Sequence, residues 1–251
     1  MTWAKVGTIN NVDVEYSTNA FDDELQVFPI VGNASGNSTS WSIPDKIGDR
    51  VKVRVKVTGD ASVFAVSPST FKIIGSLTLI SPNGAQNWIS GSSHDIQWQT
   101  RGNITEVKLE FCGNFGSGDT WQEIITDLAN PLRYPATGSY TWSFPSIISN
   151  KCRVRVSDAA DPDAISTSAA NFTLRGDLHI TVPNDGTEKW AVGTSKLIEW
   201  GTTGPVQYVG LEYSVNAGSQ YIPIIASTPN SGKFTWAIPN DTPLTSQALI
   251  K

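Results

Sequence analysis

The chain has 251 residues and a net charge of −5, from 18 Lys and Arg against 23 Asp and Glu. That mild acidity leaves no basic surface for nucleic acid, and no stretch reaches the roughly 18 apolar residues that span a membrane. Two cysteines, Cys112 and Cys152, are too few for a disulfide framework; charged residues, at 16%, fall below the roughly 25% of ordinary globular domains, and Ser, Thr, Asn and Gly take their place, as is common in secreted all-β proteins.

Residues 12–17 (VDVEYS) alternate apolar and polar, the period of a half-buried strand. VFPIV at 27–31 follows, then the phrase SWSIP at 40–44 and the strictly alternating VKVRVKV at 51–57. From residue 76 the series returns with more in front of it. It runs through SLTLISPNGAQNWISGSSHDIQW (76–98), EVKLEF (106–111), WQEII (121–125), TWSFP (141–145) and CRVRV (152–156). A third run gives DLHITVPNDGTEKWAVGTSKLIEW (177–200), YVGLEYS (208–214), YIPII (221–225) and TWAIP (235–239). Turn clusters such as SPNG (81–84) and TPNSG (228–232) separate these segments. No segment carries a helical period of useful length.

The runs are copies of one unit with a period of about 100 residues. Trp3, Trp98 and Trp200 coincide, as do Trp41, Trp142 and Trp236, and Trp88 falls on Trp190. Six or seven short strands per unit, with turns at regular spacing, predict tandem Ig-like or fibronectin-III-like β-sandwiches, an all-β fold. The expected units are 1–75, lacking its N-terminal strands, 76–175, complete, and 176–251, lacking its C-terminal strands. The opening MTWAKVGTIN has no charged stretch followed by an apolar one, so it is not a signal peptide. Both ends read as cuts inside repeats. A sandwich missing strands exposes edges and apolar faces, so contacts between chains are expected at both ends.

The phrases SPNGAQNWISGSSHDIQW, VKLEFCGN, DTWQEII, GSYTWSFP and KCRVRVSDAADP resemble a tandem Ig-like repeat of large bacterial secreted and cell-surface proteins. More distantly they are similar to the Ser/Thr-rich repeats of fungal surface proteins. Ala85 and Asp185 stand where that repeat has Gly, and GDASVFAVSP (59–68) replaces its Ser-Asp motif. The resemblance implies a surface-exposed structural module. It implies no enzyme, because the family has no shared catalytic motif.

Trp98 and Trp200 share a strand face with Ile96 and Ile198, which places them in the core. Trp41, Trp142 and Trp236 lie two residues from Ile43, Phe144 and Ile238 and are expected to point inward, with the following Pro ending the strand. Trp121 has no Trp counterpart and is the candidate exposed sugar platform. Cys112 and Cys152 fall in one unit and are the candidate disulfide, although their strand parities put them on opposite faces. Asp158, Asp161 and Asp163 form the candidate calcium loop, which is also ordinary turn chemistry. Arg50, Lys52, Arg54 and Lys56 share one strand face, read as a solvated face charged against edge pairing rather than as a polysaccharide site. Asn33, Asn37 and Asn103 head sequons and are the candidate glycan acceptors.

No Ser-His-Asp order, metal-spaced His/Cys cluster or Gly-rich loop before a helix occurs. The expectation is a structural segment of a large bacterial extracellular or cell-surface protein, of surface-layer, stalk or fibre type. The alternative is an adhesin or carbohydrate-binding accessory module. Expected partners are neighbouring repeats, other copies of the protein and cell-surface polysaccharide. No cofactor other than calcium is expected.

Overall fold

A computed structural model describes residues 1–131 and 136–251. Among them every strand ladder joins strands within 12–73, within 76–175 or within 177–250, here units 1, 2 and 3. Unit 1 contains β1 (Val12–Ser17), β2 (Val27–Ala34), β3 (Gly48–Val57), β4 (Asp60–Val66) and β5 (Phe71–Ile73). They form one antiparallel sheet in the order β2-β1-β3-β4, with β5 pairing the first half of β3.

Unit 2 runs through β6 (Ser76–Ser81), β7 (Asn87–Ile89), β8 (Ser93–Arg101), β9 (Glu106–Cys112), β10 (Trp121–Ala129), β11 (Ala136–Ser143), β12 (Ser149–Asp158), β13 (Ile165–Thr167) and β14 (Phe172–Arg175). One sheet has the order β11-β8-β6, the other β10-β9-β12-β14-β7 with β13 on β12. The three-stranded sheet faces the six-stranded one, which the parallel β14–β7 pair closes, and together they make an Ig-like sandwich. Alternation fills the space between the sheets. Leu77, Leu79, Ile96 and Trp98 from the first meet Val107, Leu109, Val154 and Val156 from the second.

Unit 3 has β15 (Asp177–Val182), β16 (Ser195–Thr203), β17 (Tyr208–Ser214), β18 (Ile222–Pro229), β19 (Lys233–Ala237) and β20 (Leu249–Ile250). Its sheets are β15-β16-β19 and β18-β17-β20, closed on Ile198, Trp200, Leu211, Trp236 and Ile238.

Trp142 sits on β11, its ring 5.2 Å from Phe111 and 4.4 Å from Phe144, and Trp236 on β19 packs 4.8 Å from Tyr213. Both strands stop two residues before a proline, Pro145 or Pro239. Unit 1 departs from the expected pattern. Its SWSIP forms no strand, and Ile43 is 58% exposed although Trp41 still packs 4.9 Å from Tyr16. In units 2 and 3 the corresponding strand pairs along β8 or β16. Unit 1 offers only the Thr2–Ser38 bridge there, and an unpaired strand leaves its backbone groups without partners.

Candidate functional site

Trp98 is 1% exposed, and its Nε1 donates to Asn130 Oδ1 at 2.8 Å. Asn130 follows directly on β10, and its Nδ2 donates in turn to Ile104 O at 2.8 Å and Thr100 Oγ1 at 3.2 Å. One amide therefore ties the loop after β8 to the buried indole, whose N–H needs a partner once out of water. Unit 3 repeats the arrangement. Trp200 Nε1 donates to Asn230 Oδ1 at 2.7 Å, and Asn230 Nδ2 reaches Val206 O at 2.8 Å and Thr202 Oγ1 at 3.0 Å. In unit 1, Lys5 stands where Thr100 does, and its ammonium donates to Asn10 O and Ser35 O at 2.9 and 2.8 Å. Trp3 Nε1 there is buried without a hydrogen-bond partner.

The outer face of the larger sheet carries a second repeated arrangement. Glu110 on β9 pairs in register with Arg155 on β12, whose Nε donates to Glu110 Oε2 at 2.6 Å. The Arg155 guanidinium lies over the Trp121 indole at 4.3 Å, and Arg153 lies over Phe115 at 4.2 Å. Unit 1 builds the same contact from Glu15, Arg54 (2.5 Å) and Phe21, with Arg54 4.4 Å over the ring. Unit 3 builds it from Glu212, Lys251 (3.3 Å) and Tyr221, with the ammonium 5.0 Å over the ring. Carboxylate, cation and aromatic thus recur together three times.

This arrangement relocates two expectations. Trp121 is half-buried and has one ring face under Arg155, so it belongs to the sheet's own ladder instead of standing as an isolated exposed aromatic. The cationic strands β3 and β12 are not edges, because each has neighbours on both sides. Two of the β3 cations are paired within the unit, Arg50 with Asp22 at 2.8 Å and Lys56 with Glu15 at 2.8 Å. The Glu at one place in VDVEYS, VKLEFC and VGLEYS was the available sequence signal.

The Arg155 hydrogen bond holds the Glu110 carboxyl below the usual carboxylate range, against a smaller opposing effect of burial and with further help from Lys108. A depressed folded-state pKa contributes stability that is present above about pH 4.3, the unfolded value, and is lost as pH falls through the folded value. Glu110→Gln is therefore expected to lower the stability of unit 2 by about 2 kcal/mol at pH 7. The gap to the parent chain should close below pH 4. Thermal unfolding of both proteins from pH 7 to pH 3 measures it.

The remaining candidates separate. Cys112 and Cys152 are free, buried thiols. Cys112 faces Arg153 in the ladder, and its Sγ bonds Asn114 Oδ1 at 3.2 Å. Ser17 and Ser214 occupy the same place and bond Asn19 and Asn216 Oδ1 at 2.6 and 2.9 Å, so Cys112 organises a turn as a serine does. Cys152 instead lies in the unit 2 core, where burial pushes its thiol pKa up. Asp158, Asp161 and Asp163 do not converge, and among the described residues no group of three or more His, Cys, Asp or Glu is placed to hold a metal ion. Asp158 Oδ1 accepts from Ala160 N at 2.9 Å, while Asp161 and Asp163 hold the Lys72 ammonium of unit 1 at 3.2 and 3.1 Å. That cation neutralises the loop from a distance in sequence that turn chemistry does not reveal. Trp88 stacks on His94 at 4.1 Å and packs on Phe144 and Phe172, capping the core. Asn33, Asn37 and Asn103 are all exposed.

Lys72 belongs to a packed boundary between units 1 and 2. Ile47 of unit 1 packs on the unit 2 core and approaches Gly102 (φ +91°). A Cβ on the linker residue Gly75 would meet the buried Ile104 side chain at 2.6 Å. The next boundary is built alike. Gly176 replaces Gly75 and abuts Val206, and Gly204 (φ +81°) replaces Gly102 and abuts Ser90 of unit 2, while Ile148, at the place of Ile47, is 50% exposed and reaches only the linker Gly176. Adjacent units therefore meet through backbone that has no room for a side chain.

No protein-family model matches the sequence, and no curated protein matches it. Among solved structures the chain is similar to a tetra-tandem repeat from the extending region of a large adhesion protein, at 14% identity and a TM-score of 0.39 over 94% of this chain and 60% of that one. It is also similar to the fibronectin(III)-like modules of Clostridium thermocellum CbhA, at 12% identity and a TM-score of 0.20 over 64% of this chain and 78% of that one. A third likeness is to Salmonella alpha-2-macroglobulin, at 9% identity and a TM-score of 0.26 over 98% of this chain and 20% of that one. The chain spans 60% of the length of the adhesion-protein repeat.

Proposed function

We propose that this chain is a stiff structural segment of a larger extracellular or cell-surface protein, a stalk or fibre in which Ig-like units are stacked end to end. The observation that carries this reading is the close-packed glycine pair that recurs at both boundaries, Gly75 with Gly102 at one and Gly176 with Gly204 at the other. Two like boundaries transmit one fixed step per unit, as in other solenoid-like arrays. The surface agrees with an extended chain: 14355 Å² is accessible, roughly a third more than the ~11,000 Å² of a compact monomer of 27.1 kDa. Exposed sequon asparagines suit such a surface location. The occupied ring face of Trp121 gives no support to the carbohydrate-binding alternative.

Small-angle X-ray scattering tests the proposal. The chain should scatter as one elongated shape with a sharp maximum dimension. Gly75→Val, which drives a branched side chain into Ile104, should change that dimension while leaving the circular dichroism of the sandwiches intact. Scattering from freely jointed beads in the parent chain would refute the stiff-segment reading.

A further inference from the structure

Unit 2 has both of its sheets, and its free edges differ from one another. Edge strand β10 shifts register against β9 and holds Asp127 at φ +51°. The corresponding edges β2 and β18 shift register as well, and contain Pro29, Pro223 and Pro229. β6 shifts between Leu79 and Ser81, and its Leu79 N donates to Ser166 Oγ at 2.9 Å. Bulges and prolines keep an edge from pairing with another chain. β11, at the edge of the smaller sheet, has neither. It pairs with β8 in unbroken register from Ala136–Thr100 to Ser143–Ser93, and its 8 residues, ATGSYTWS, carry no charge. Its counterpart in unit 3, β19, has 5 residues and begins with Lys233.

The phase of the β11–β8 ladder follows from the residue after it. Phe144 N donates to Ser92 O at 3.0 Å, so the alternate residues Trp142, Tyr140 and Gly138 bond to β8. Thr137, Ser139, Thr141 and Ser143 therefore turn their N–H and C=O to the open side, where no hydrogen bond among the described residues meets them. Each of these residues is exposed. The Thr141 and Ser143 hydroxyls are held on β8, by Asp95 Oδ1 at 2.6 Å and Ser93 Oγ at 2.7 Å. Short, uncharged side chains thus flank an open row of main-chain donors and acceptors, which is what strand addition requires.

We infer that β11 pairs with β11 of a second copy of this chain, antiparallel about a two-fold axis at Tyr140, joining the two smaller sheets edge to edge. The occupant is a second copy because the strand is self-complementary in this register. Thr137 faces Ser143 and Ser139 faces Thr141, so every outward N–H and C=O finds a partner and the outer face gains Ser–Thr pairs. On the other face Tyr140 meets its own copy, an aromatic cross-strand pair. Trp142, half-buried, falls opposite Gly138 of the second copy, a position with no side chain to obstruct it. An axis at Ser139 would carry Ser143 past the start of the opposite strand, and an axis at Thr141 would carry Thr137 past its end. The contact lies along the side of the chain and depends neither on the stiffness of the unit boundaries nor on either end.

Sedimentation equilibrium of the full chain tests this from ~10 µM to ~1 mM, the range for a contact smaller than a standard interface. The mean mass should rise from one chain toward two. The double variant Ser139→Lys/Thr141→Lys, at exposed positions, sets lysines directly opposite one another. It should stay monomeric with an unchanged circular dichroism spectrum. Oxidative trapping reads the register. Tyr140→Cys places two thiols on residues whose Cα atoms lie about 4.5 Å apart, within disulfide reach. It should cross-link about tenfold faster or more than Ser139→Cys, whose copy lies two steps along the strand and out of reach. The parent chain, with Cys112 and Cys152 buried, controls for the native thiols. A parent chain that stays monomeric, a dimer unaffected by the two lysines, or equal cross-linking at both positions overturns the inference.

Discussion

Asn130→Ala is expected to destabilise unit 2 by about 3 kcal/mol, because one truncation strands several buried groups at once. Trp98 Nε1 loses its acceptor, Ile104 O loses its side-chain donor, and Thr100 Oγ1 loses its amide partner. Trp98 and Ile104 are each 1% exposed, so water cannot replace what is removed. Asn230→Ala should cost less, since Thr202 is exposed and Trp200 is 6% exposed. Native-state hydrogen exchange of β8 and β9 amides, compared with those of β16 and β17, reads the two units separately in one chain. Equal losses in both units would mean that burial does not set the cost. Unit 1 supplies a natural reference, having a buried Trp3 Nε1 with no partner and a lysine in the threonine position.

The Trp–Asn contact also marks how far the sequence could be read. Alternation in VKLEF and IQW reports directly which residues face inward, because strand geometry turns a period of two into a face. Trp98 and Trp200 were therefore legible as core. Asn130 was not: its partners lie 26 to 32 residues away, and an Asn in a turn cluster ordinarily reads as a turn former. The only signal was its recurrence as Asn230 ahead of Gly-x-x-x-Trp. Lys72 closing on Asp161 and Asp163 was hidden for the same reason, as the contact crosses a unit boundary. Cys112 could have been read from its alignment with Ser17 and Ser214, each two residues before an Asn. SWSIP in unit 1 failed as a strand because strand formation depends on a neighbour, and local sequence does not record whether one is present.

Gly138→Ala should be the most damaging single-methyl change in unit 2, at about 3 kcal/mol, the upper end for overpacking a filled core. Gly138 sits on β11 directly opposite Trp98 on β8, and a Cβ there would run into Cε2, Cζ2 and Nε1 of the indole. The ring has no easy way out, since Asn130 holds Nε1 and the opposing sheet covers the remaining face. Trp98→Phe removes the ring atoms that the new methyl would strike, at the cost of a cavity and of the Asn130 bond. The two substitutions should therefore couple strongly: Gly138→Ala should cost much less in the Trp98→Phe background than alone. A double-mutant cycle followed by chemical denaturation measures that coupling. Additive losses would show that Gly138 is needed for its own backbone and not for room beside Trp98. Gly232, the corresponding residue in unit 3, separates the two causes. It has φ +78° and no indole atom in its way, so Gly232→Ala is strained through the backbone alone and should show no coupling to Trp200→Phe.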